Sequence, residues 1–515
     1  MTRGMTGGVS REMSSPARIA PGSDADGSAD TLDNVTTGPE VAAFFDFDGT
    51  VIDGFSAVVF QWDRIRHLRM SPAELGRLLL LVPPLVIGRA DTADIITSAL
   101  AGLQGHSEEE LAEQGERLFA DQLARLVYPE ARARIAAHQA RGHTIVLASS
   151  AVHFQVDAFA RDLGIEHVLC TAIESTPDGV LTGQVVGPLL REAAKATAVR
   201  AFAERRGIDL NASFAYANGE EDIPFLQAVG HPYAINPGSG LAAAAAKEGW
   251  PVQRYASRRG FDLGRTVRTG AGYGSMLLAG GVGAAVGLLN RSRRQGINTM
   301  TSVAPDLALA LTGVTLRVQG EEHLWLSRPA VFIANHQSPA DVLVLAGLLR
   351  RDFTGVAKKE LGRHPVLGPL GRLAQVVFID RTDSERAIAD LGGAVDKLRD
   401  GVSIIVLPEG TRSPTPQPGP FKKGAFHIAL QAGVPIVPIV ICNSGDVMWR
   451  NARTIRPGTV DVVVHPPIST DHWQVATLDE RVRQIRQLYL DTLRTVPAFP
   501  QVPEGHGTAA GRSGW

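Results

Sequence analysis

Two aspartates that follow an apolar run form the first candidate for chemistry. Asp46 and Asp48 come directly after residues 41–45, a run typical of a buried strand in an α/β sheet. Carboxylates spaced i, i+2 beyond a strand can both project into the crevice at the sheet edge. One can attack a phosphorus atom while the other protonates the leaving oxygen. Residues 24–27 repeat the motif without a strand before it, so the strand, not the motif alone, carries this prediction.

A histidine and an aspartate form the second candidate. His336 and Asp341 follow the strand-like residues 331–334. A histidine at a strand end can hydrogen-bond to an aspartate in the next helical turn, and the carboxylate then fixes the tautomer and stabilises the imidazolium. Such a pair deprotonates an alcohol. The sequence nearby contains no Gly-x-Ser-x-Gly motif, which favours direct attack by a substrate hydroxyl over an acyl-enzyme.

Alternating strand-like and helical patterns predict the elements that position these residues. The strand-like runs are 41–45, 144–148 and 213–217 in the first half, and 331–334, 375–379, 403–407, 434–441 and 460–464 in the second. Helical patterns such as 191–206 and 384–400 lie between them. This alternation predicts two unrelated α/β domains with parallel sheets, whose ligands bind at the carboxyl ends of the strands. The prolines in 434–440 favour a sheet edge or the floor of a tunnel for that strand.

Length, charge and cysteine content limit the classes of protein to which this chain can belong. The 515 residues suit two domains, and a net charge of −2 argues against general nucleic-acid binding. Two cysteines exclude a disulfide framework and fit a reducing compartment. We predict disordered tails at 1–40 and 498–515, with no secretory signal in the first. Between the tails we predict a first domain at 41–250, a linker at 251–300 and a second domain at 301–497.

The linker contains a segment that suits a membrane. Residues 269–290 carry no charge, and arginines flank them on both sides. The length fits a membrane helix, although a buried linker helix is the alternative. A single crossing would place the two halves on opposite faces. We therefore favour a re-entrant or in-plane hairpin that breaks at Gly280-Gly281, returns through 303–314, and is held partly by arginine contacts with anionic head groups.

Residues 41–250 resemble the haloacid dehalogenase superfamily, in its phosphoserine phosphatase-like branch (subfamily IB), with 51–140 as a helical cap. The resemblance implies Asp46 as nucleophile and Asp48 as general acid/base, with Ser149 and Lys195 binding the phosphoryl group. It also implies a Mg²⁺ site, with the ligands Asp46, Asp48, Asn218 and Asp222. Asn218 departs from the acidic residue that relatives often carry, so magnesium should bind more weakly. Apolar residues 78–82 and 85–87 indicate either a cap core helix or a surface that admits a lipid phosphate.

The second half resembles the 1-acylglycerol-3-phosphate acyltransferases (PlsC-type), because all four of their sequence blocks occur in order over about 300–480. The resemblance implies His336 as general base, Asp341 as its orienting partner, and acyl-CoA or acyl carrier protein as the thioester donor. It further implies glycerol-phosphate contacts or site geometry from a set of residues after the strands: Lys358 or Lys359, Arg381, Glu409, Gly410, Thr411 and Arg412.

Together these motifs predict a fusion of two enzymes at the cytoplasmic face of the cell membrane. One half would acylate the 2-hydroxyl of lysophosphatidate to give phosphatidate. The other would be a magnesium-dependent phosphomonoesterase. Two alternatives stay open: an acyltransferase fused to a catalytically silent phosphatase-like scaffold, which Asn218 favours, and a membrane scaffold without catalysis, which the intact motifs disfavour.

Overall fold

Two mixed sheets, each of seven strands, organise the chain. The computed structural model describes residues 36–67, 70, 76, 92–258, 260, 262–365, 367–379 and 384–495. Both predicted tails lie outside these residues, apart from 36–40, as do the apolar cap residues 78–87. The predicted fold class of two α/β domains is confirmed, with one antiparallel pair in each otherwise parallel sheet.

The first sheet has the strand order β4-β3-β2-β1-β5-β6-β7. Its strands are β1 (Ala42–Phe45), β2 (Thr144–Val152), β3 (His167–Ser175), β4 (Leu181–Val186), β5 (Phe214–Ala217), β6 (His231–Ile235) and β7 (Val252–Gln253). The helices of this half are α1 (Ser56–Arg66), α2 (Thr92–Ala101), α3 (Glu108–Leu118), α4 (Pro129–Ala140), α5 (His153–Leu163), α6 (Glu192–Arg206), α7 (Ile223–Leu226) and α8 (Ser239–Glu248). Short helical turns occur at Phe119–Leu123, Ala124–Leu126 and Glu220–Asp222.

Strand β1 is central and apolar because both of its faces are covered. All four of its residues are buried, and it pairs in parallel with β2 and β5. Its even and odd residues enter different apolar clusters on the two sides of the sheet. The loop after β1, which begins at Asp46, therefore emerges at the carboxyl edge between the ends of two neighbouring strands.

The second sheet has the order β11-β10-β12-β9-β13-β14-β8. Its strands are β8 (Val314–Gln319), β9 (Val331–Ala334), β10 (Phe353–Lys358), β11 (Val377–Ile379), β12 (Ser403–Val406), β13 (Ile436–Ile441) and β14 (Gly458–Val464). The helices are α9 (Leu263–Leu289), α10 (Arg293–Thr312), α11 (His323–Leu326), α12 (Asp341–Leu349), α13 (Leu367–Leu373), α14 (Ser384–Arg399), α15 (Gly424–Ala432), α16 (Ser444–Val447) and α17 (Leu478–Thr495), with short turns at Lys359–Arg363 and Val475–Thr477.

The proline-containing strand β13 is central, so the expected sheet edge is wrong. β13 lies between β9 and β14, and Pro438 pairs in register with Ile333. Proline removes one donor from the ladder, but the Pro438 carbonyl still accepts a hydrogen bond from the His465 N–H (2.9 Å). Six further strands, β3, β4, β6, β7, β8 and β10, were not predicted from the sequence.

Helices α9 and α10 form an antiparallel hairpin that joins the two sheets. α9 runs through Gly280-Gly281 without a break, so the expected interruption is wrong, and the chain turns at 290–292 instead. The two helices touch through glycines: a Cβ placed on Gly283 would lie 2.6 Å from the carbonyl oxygen of Gly296. Such close backbone approach holds the helices together by packing contacts alone.

One face of the hairpin packs on the second sheet and the other is apolar but exposed. Met276 and Ala279 of α9 join the apolar cluster beneath that sheet. The exposed large apolar side chains are Leu263, Val267, Leu277, Leu278, Val282, Leu288 and Leu289 of α9, and Val303, Leu307 and Leu311 of α10. Within the described part of the chain, α9 alone is long and apolar enough to cross a membrane. Its most apolar stretch has a mean hydropathy of 1.5 and is 33% buried. Length and composition by themselves are weak support for a crossing.

Two glycines in α9 give a matched test of the helix contact. We expect Gly283→Ala to lower the free energy of unfolding by about 1–3 kcal/mol, because the added methyl meets the α10 backbone. Gly281→Ala should raise it by about 0.5–1 kcal/mol, because Gly281 is exposed with open space around it and alanine favours the helix. Urea unfolding of the full chain in detergent measures both shifts. Equal shifts would contradict the packing described.

Candidate active sites

A lysine joins two aspartates at the carboxyl edge of the first sheet. The Asp46 N–H donates to the Tyr216 carbonyl (2.9 Å), which fixes the start of the loop against β5. Lys195, from α6, places its Nζ 2.8 Å from Asp46 Oδ1 and 2.6 Å from Asp222 Oδ1. Burial alone would lower the pKa of Lys195, but the two carboxylates hold it above its usual range. The lysine therefore stays cationic beside the predicted nucleophile.

Asp48 faces the start of α1. Its two carboxylate oxygens accept from the Ser56 N–H (2.7 Å) and the Ser56 hydroxyl (3.2 Å). Burial raises the pKa of Asp48 to about 7, against the lowering effect of these hydrogen bonds. A carboxyl group that is partly protonated near neutral pH can donate a proton to a leaving group, and can take one back in a later step.

Asn218 lies between Asp46 and Asp48, after β5. With its amide nitrogen turned inward, it reaches the Asp48 carbonyl oxygen (3.0 Å), Asp46 Oδ2 (3.2 Å) and Thr50 Oγ1 (3.2 Å). The opposite orientation accepts from the Thr50 hydroxyl. The Asp46 carboxylate, the Asp48 main-chain carbonyl and, in this second orientation, the Asn218 amide oxygen are the kinds of oxygen donor that hard cations prefer. A magnesium ion therefore fits the donor chemistry at this point.

The other two predicted metal ligands point their carboxylates elsewhere. Asp48 directs its carboxylate at Ser56 and offers only its main-chain oxygen toward Asn218, whereas the Asp222 carboxylate binds Lys195. Among the residues that the structure describes, no cluster of three His, Cys, Asp or Glu side chains is arranged to hold a metal. Ser149 lies two residues beyond Leu147, the β2 partner of Phe45, and is buried at the same sheet edge. Its hydroxyl accepts from the Ala151 N–H (3.1 Å).

The histidine–aspartate pair forms at the carboxyl edge of the second sheet. His336 Nδ1 lies 2.8 Å from Asp341 Oδ2, and the same oxygen accepts from the N–H groups of Gln337 (2.8 Å) and Ser338 (2.9 Å). The Ser444 hydroxyl donates to the other oxygen, Oδ1 (2.5 Å). Asp341 is fully buried, whereas the His336 side chain is 18% exposed. Because Nδ1 is engaged, Nε2 is the ring nitrogen available to a substrate.

Glu409 holds the backbone around His336. Its Oε1 accepts from the His336 N–H (2.6 Å), while Oε2 accepts from the Ser413 hydroxyl (2.5 Å) and the Gly419 N–H (2.7 Å). The Ser413 N–H in turn donates to the His336 carbonyl (2.7 Å). Burial raises the pKa of Glu409, and these donors oppose the rise. Both carboxylate oxygens are thus engaged within the protein.

The described residues among those predicted to bind phosphate lie at the same edge of the sheet and differ in exposure. Arg412 is half-buried, and its Nη1 donates to the Arg450 carbonyl (2.6 Å). Lys358 and Thr411 are exposed, and Gly410 has φ +75°, a conformation that glycine adopts at little cost. Arg381 lies outside the described residues. Lys359 follows β10 in a helical turn and is exposed.

Two buried residues beside the histidine–aspartate pair, Ser444 and Asn335, were not predicted from the sequence. Ser444 is fully buried and touches Asp341 from 103 residues away. Asn335 joins β9 to β13 by exchanging two hydrogen bonds, each 2.8 Å, with the backbone of Ile441. Ser444 comes just after β13, a neighbour of β9, so knowledge of the strand order would have brought it to the site. That order was not available from the sequence.

Comparison with known proteins places each half in a family. The family model described as haloacid dehalogenase-like hydrolase matches residues 43–227, and the one described as Acyltransferase matches residues 315–442. A 1-acyl-sn-glycerol-3-phosphate acyltransferase of Limnanthes alba is 38% identical over 203 residues, which are 39% of this chain and 70% of that protein.

A relative of the first half and a solved structure for the second complete the comparison. Phosphoserine phosphatase SerB1 of Mycobacterium tuberculosis is 33% identical over 258 residues, 49% of this chain and 81% of that protein. The structure of the 1-acyl-sn-glycerophosphate acyltransferase PlsC from Thermotoga maritima is 26% identical, covering 45% of this chain and 98% of that chain at a TM-score of 0.39. The chain therefore belongs to the haloacid dehalogenase-like hydrolases through its first half and to the 1-acylglycerol-3-phosphate acyltransferases through its second, and is a fusion of the two.

Proposed function

We propose that the second half transfers an acyl group from acyl-CoA or acyl carrier protein to the 2-hydroxyl of lysophosphatidate, giving phosphatidate. The observation that carries this proposal is the His336–Asp341 pair, whose carboxylate is buried under four hydrogen-bond donors. A carboxylate held in this way orients the imidazole and stabilises the imidazolium that forms during proton transfer.

The acyl transfer needs one proton to move twice. His336 Nε2 takes the proton of the acceptor hydroxyl as its oxygen attacks the thioester carbonyl carbon. The tetrahedral intermediate collapses, the carbon–sulfur bond breaks, and the imidazolium returns the proton to the leaving thiolate. The new bond is an ester, and the products are phosphatidate and a free thiol.

Cationic side chains would hold the phosphate of the acceptor. The Arg412 guanidinium is fixed by the Arg450 carbonyl at the same sheet edge as His336. A guanidinium presents paired donors that match a phosphomonoester. Lys358 and Lys359, after the neighbouring strand β10, and Arg381 supply further positive charge in this proposal.

We propose a different role for Glu409 from direct contact with the acceptor. Its hydrogen bond from the His336 N–H ties the loop after β12 to the loop after β9, and its hydrogen bond from the Gly419 N–H braces the loop after β12 itself. Glu409 thereby acts as a positioning residue for His336 and for the Arg412 that follows it closely in the chain.

The first half is proposed to hydrolyse a phosphomonoester. Asp46 attacks the phosphorus atom to form an aspartyl phosphate, and the protonated Asp48 donates its proton to the departing oxygen. Asp48 then takes a proton from the water that attacks the phosphorus, which restores both residues. Lys195 offsets the negative charge of the phosphoryl group. Asp46, the Asp48 main-chain oxygen and Asn218 would hold a magnesium ion, which supplies charge stabilisation to the phosphoryl oxygens when bound.

The helical hairpin would place the chain at a membrane, at its cytoplasmic face in our proposal. The exposed leucines and valines of α9 and α10 support contact with a lipid surface. A lipid acceptor such as lysophosphatidate is dissolved in that surface, so an enzyme resting on it meets its substrate without extracting it into water.

A silent first half is the second candidate. Asn218 replaces a negative charge at the point where a cation would bind, and its amide nitrogen can reach Asp46 Oδ2 instead. In this alternative, the first half has no hydrolytic activity of its own.

Substitutions in the catalytic pair test the acyltransferase. We expect His336→Ala to abolish phosphatidate formation from lysophosphatidate and acyl-CoA, and Asp341→Asn to lower kcat about 10³-fold because the imidazolium loses its partner. His472→Ala, which alters an exposed histidine, is the control and should keep full activity. Radiolabelled acyl transfer by the full chain measures this. Undiminished turnover by His336→Ala would refute the assignment.

Two substitutions test the phosphatase half: one should abolish phosphate release and the other should strengthen magnesium binding. Asp46→Asn should abolish phosphate release from p-nitrophenyl phosphate and phosphoserine. Asn218→Asp should lower the magnesium concentration needed for half-maximal release about tenfold, because a carboxylate replaces a neutral amide. Phosphate release equal in wild type and Asp46→Asn would favour the silent first half.

Glu409→Gln separates positioning from acceptor binding. An amide cannot accept at both ends, so a backbone donor loses its partner and the free energy of unfolding should fall by about 1–3 kcal/mol. kcat for acyl transfer should fall with it, while Glu360→Gln, an exposed control, leaves both unchanged. A raised KM for lysophosphatidate with unaltered stability would instead indicate direct contact with the acceptor.

A further inference from the structure

A short segment between the two halves is bonded to the loop that carries the phosphatase aspartates. The Ser257 hydroxyl and the Arg258 N–H both donate to Asp53 Oδ2, at 2.9 Å and 2.6 Å. Asp53 is buried, and its own N–H donates to the Leu126 carbonyl (2.8 Å). Residues 254–258, called the strap here, are thereby fixed to the loop that begins at Asp46.

The same strap is bonded to the acyltransferase half. Arg258 Nη2 lies 3.3 Å from Asp446 Oδ1 of that half, while Arg258 Nε donates to the Arg125 carbonyl of the first half (3.0 Å). The Arg456 guanidinium donates to the carbonyls of Ser257 and Arg258. The Arg258 side chain is 10% exposed, so this guanidinium lies enclosed between the two halves. Removal of Asp446, whose own side chain is 30% exposed, would leave this enclosed guanidinium without its carboxylate partner.

Asp446 belongs to the turn that supports the catalytic pair. Helix α16 holds both Asp446 and Ser444, and the buried Ser444 hydroxyl donates to Asp341 Oδ1 (2.5 Å). The Met448 carbonyl just after this helix accepts from the Ser338 hydroxyl (2.6 Å). Two side-chain hydrogen bonds thus join residues 444–448 to the turn that contains Asp341.

A second contact between the halves reaches the proposed phosphate-binding arginine. Arg450, whose carbonyl accepts from Arg412, has its own guanidinium 3.8 Å from Asp121 of the first half. Trp449 lies beneath the guanidinium of Arg125, at 5.8 Å from the ring centre. Residues 444–456 therefore contact the first half on one side and both Asp341 and Arg412 on the other.

We propose that Arg258 is a positioning residue for acyl transfer. Anchored by Asp53, it pairs with Asp446 and so holds Ser444 against Asp341, which makes the phosphatase half a structural support of the acyltransferase site. This inference rests on the proposed role of His336 and Asp341. It requires no phosphate hydrolysis, and so it holds for an active or a silent first half.

A double-mutant cycle on the full chain tests the proposal. Arg258→Ala and Asp446→Ala should each lower kcat for acyl transfer about tenfold, because Asp341 loses its fixed orientation. KM for lysophosphatidate should change by less than about twofold, since neither residue contacts the acceptor. The double variant should lose no more than either single variant, because one pair carries both effects.

Four further variants keep the outcome decisive. Arg254→Ala removes the same charge from an exposed position of the strap and should leave kcat unchanged. Arg258→Lys keeps the positive charge and should recover part of the lost kcat. If the alanine variants do not fold, Asp446→Asn removes the negative charge while it keeps the side-chain volume. Ser444→Ala should reproduce the fall in kcat without touching the contact between the halves.

Two results would overturn the inference. Arg258→Ala could behave as Arg254→Ala does, or the losses of the two single variants could multiply in the double variant. Either result, in a wild-type chain that acylates lysophosphatidate, refutes the positioning role alone. A wild-type chain without acyl transfer refutes the proposed function instead.

Discussion

A single buried carboxylate, that of Asp341, sets the requirements for the whole second half. A fully buried charge is unfavourable unless donors surround it, and four donors from two separate parts of the chain meet this one. Two of them are backbone N–H groups of the turn after β9. The others are His336 and a serine beyond β13. The strand order that brings β9 beside β13 is therefore also the order that satisfies this charge.

The first half also buries carboxylates, but there a lysine compensates their charge. Asp46 and Asp222 emerge near one another after β1 and β5, where two unpaired buried carboxylates would repel. Lys195 lies within 2.8 Å of both and converts the repulsion into two attractions. Each half thus gathers charge at the carboxyl edge of a sheet, where strand ends leave room for a ligand. A lysine from a helix compensates it in the first half, and the turn after β9 together with Ser444 does so in the second.

How far the sequence predicts this structure depends on the range of the interaction. Asp46, Asp48, His336 and Asp341 stand next to apolar strands, so local pattern placed them at sheet edges correctly. Glu409 was predicted as a site residue. Its hydrogen bonds to the His336 N–H and the Gly419 N–H were not, because no local sequence pattern shows where a carboxylate points. Ser444 was missed altogether. Ser444 reaches Asp341 only because β13, which precedes it in the chain, lies beside β9 in the sheet.

Tertiary packing also overrode two local expectations. Gly280 and Gly281 are poor helix formers, yet α9 continues through them because α10 and the second sheet pack along its length. The prolines near β13 suggested an edge, but the strand is buried throughout its six residues and its carbonyls still bond on both sides. In both cases the energy of burial outweighs a local preference of order 1 kcal/mol.

The two sites would treat a phosphomonoester in opposite ways, and the placement of their carboxylates explains how. Near the proposed acceptor site, every oxygen of Asp341 and Glu409 already accepts a hydrogen bond from the protein, so neither carboxylate is available to attack phosphorus. In the first half, Asp46 Oδ2 has two long hydrogen bonds of 3.2 Å, from the Thr50 hydroxyl and from the Asn218 amide, while its other oxygen holds the lysine. Oδ2 is the oxygen that would attack phosphorus in the proposed hydrolysis. A phosphate bound beside Arg412 would therefore survive the acyl transfer, whereas one bound beside Lys195 would be cleaved.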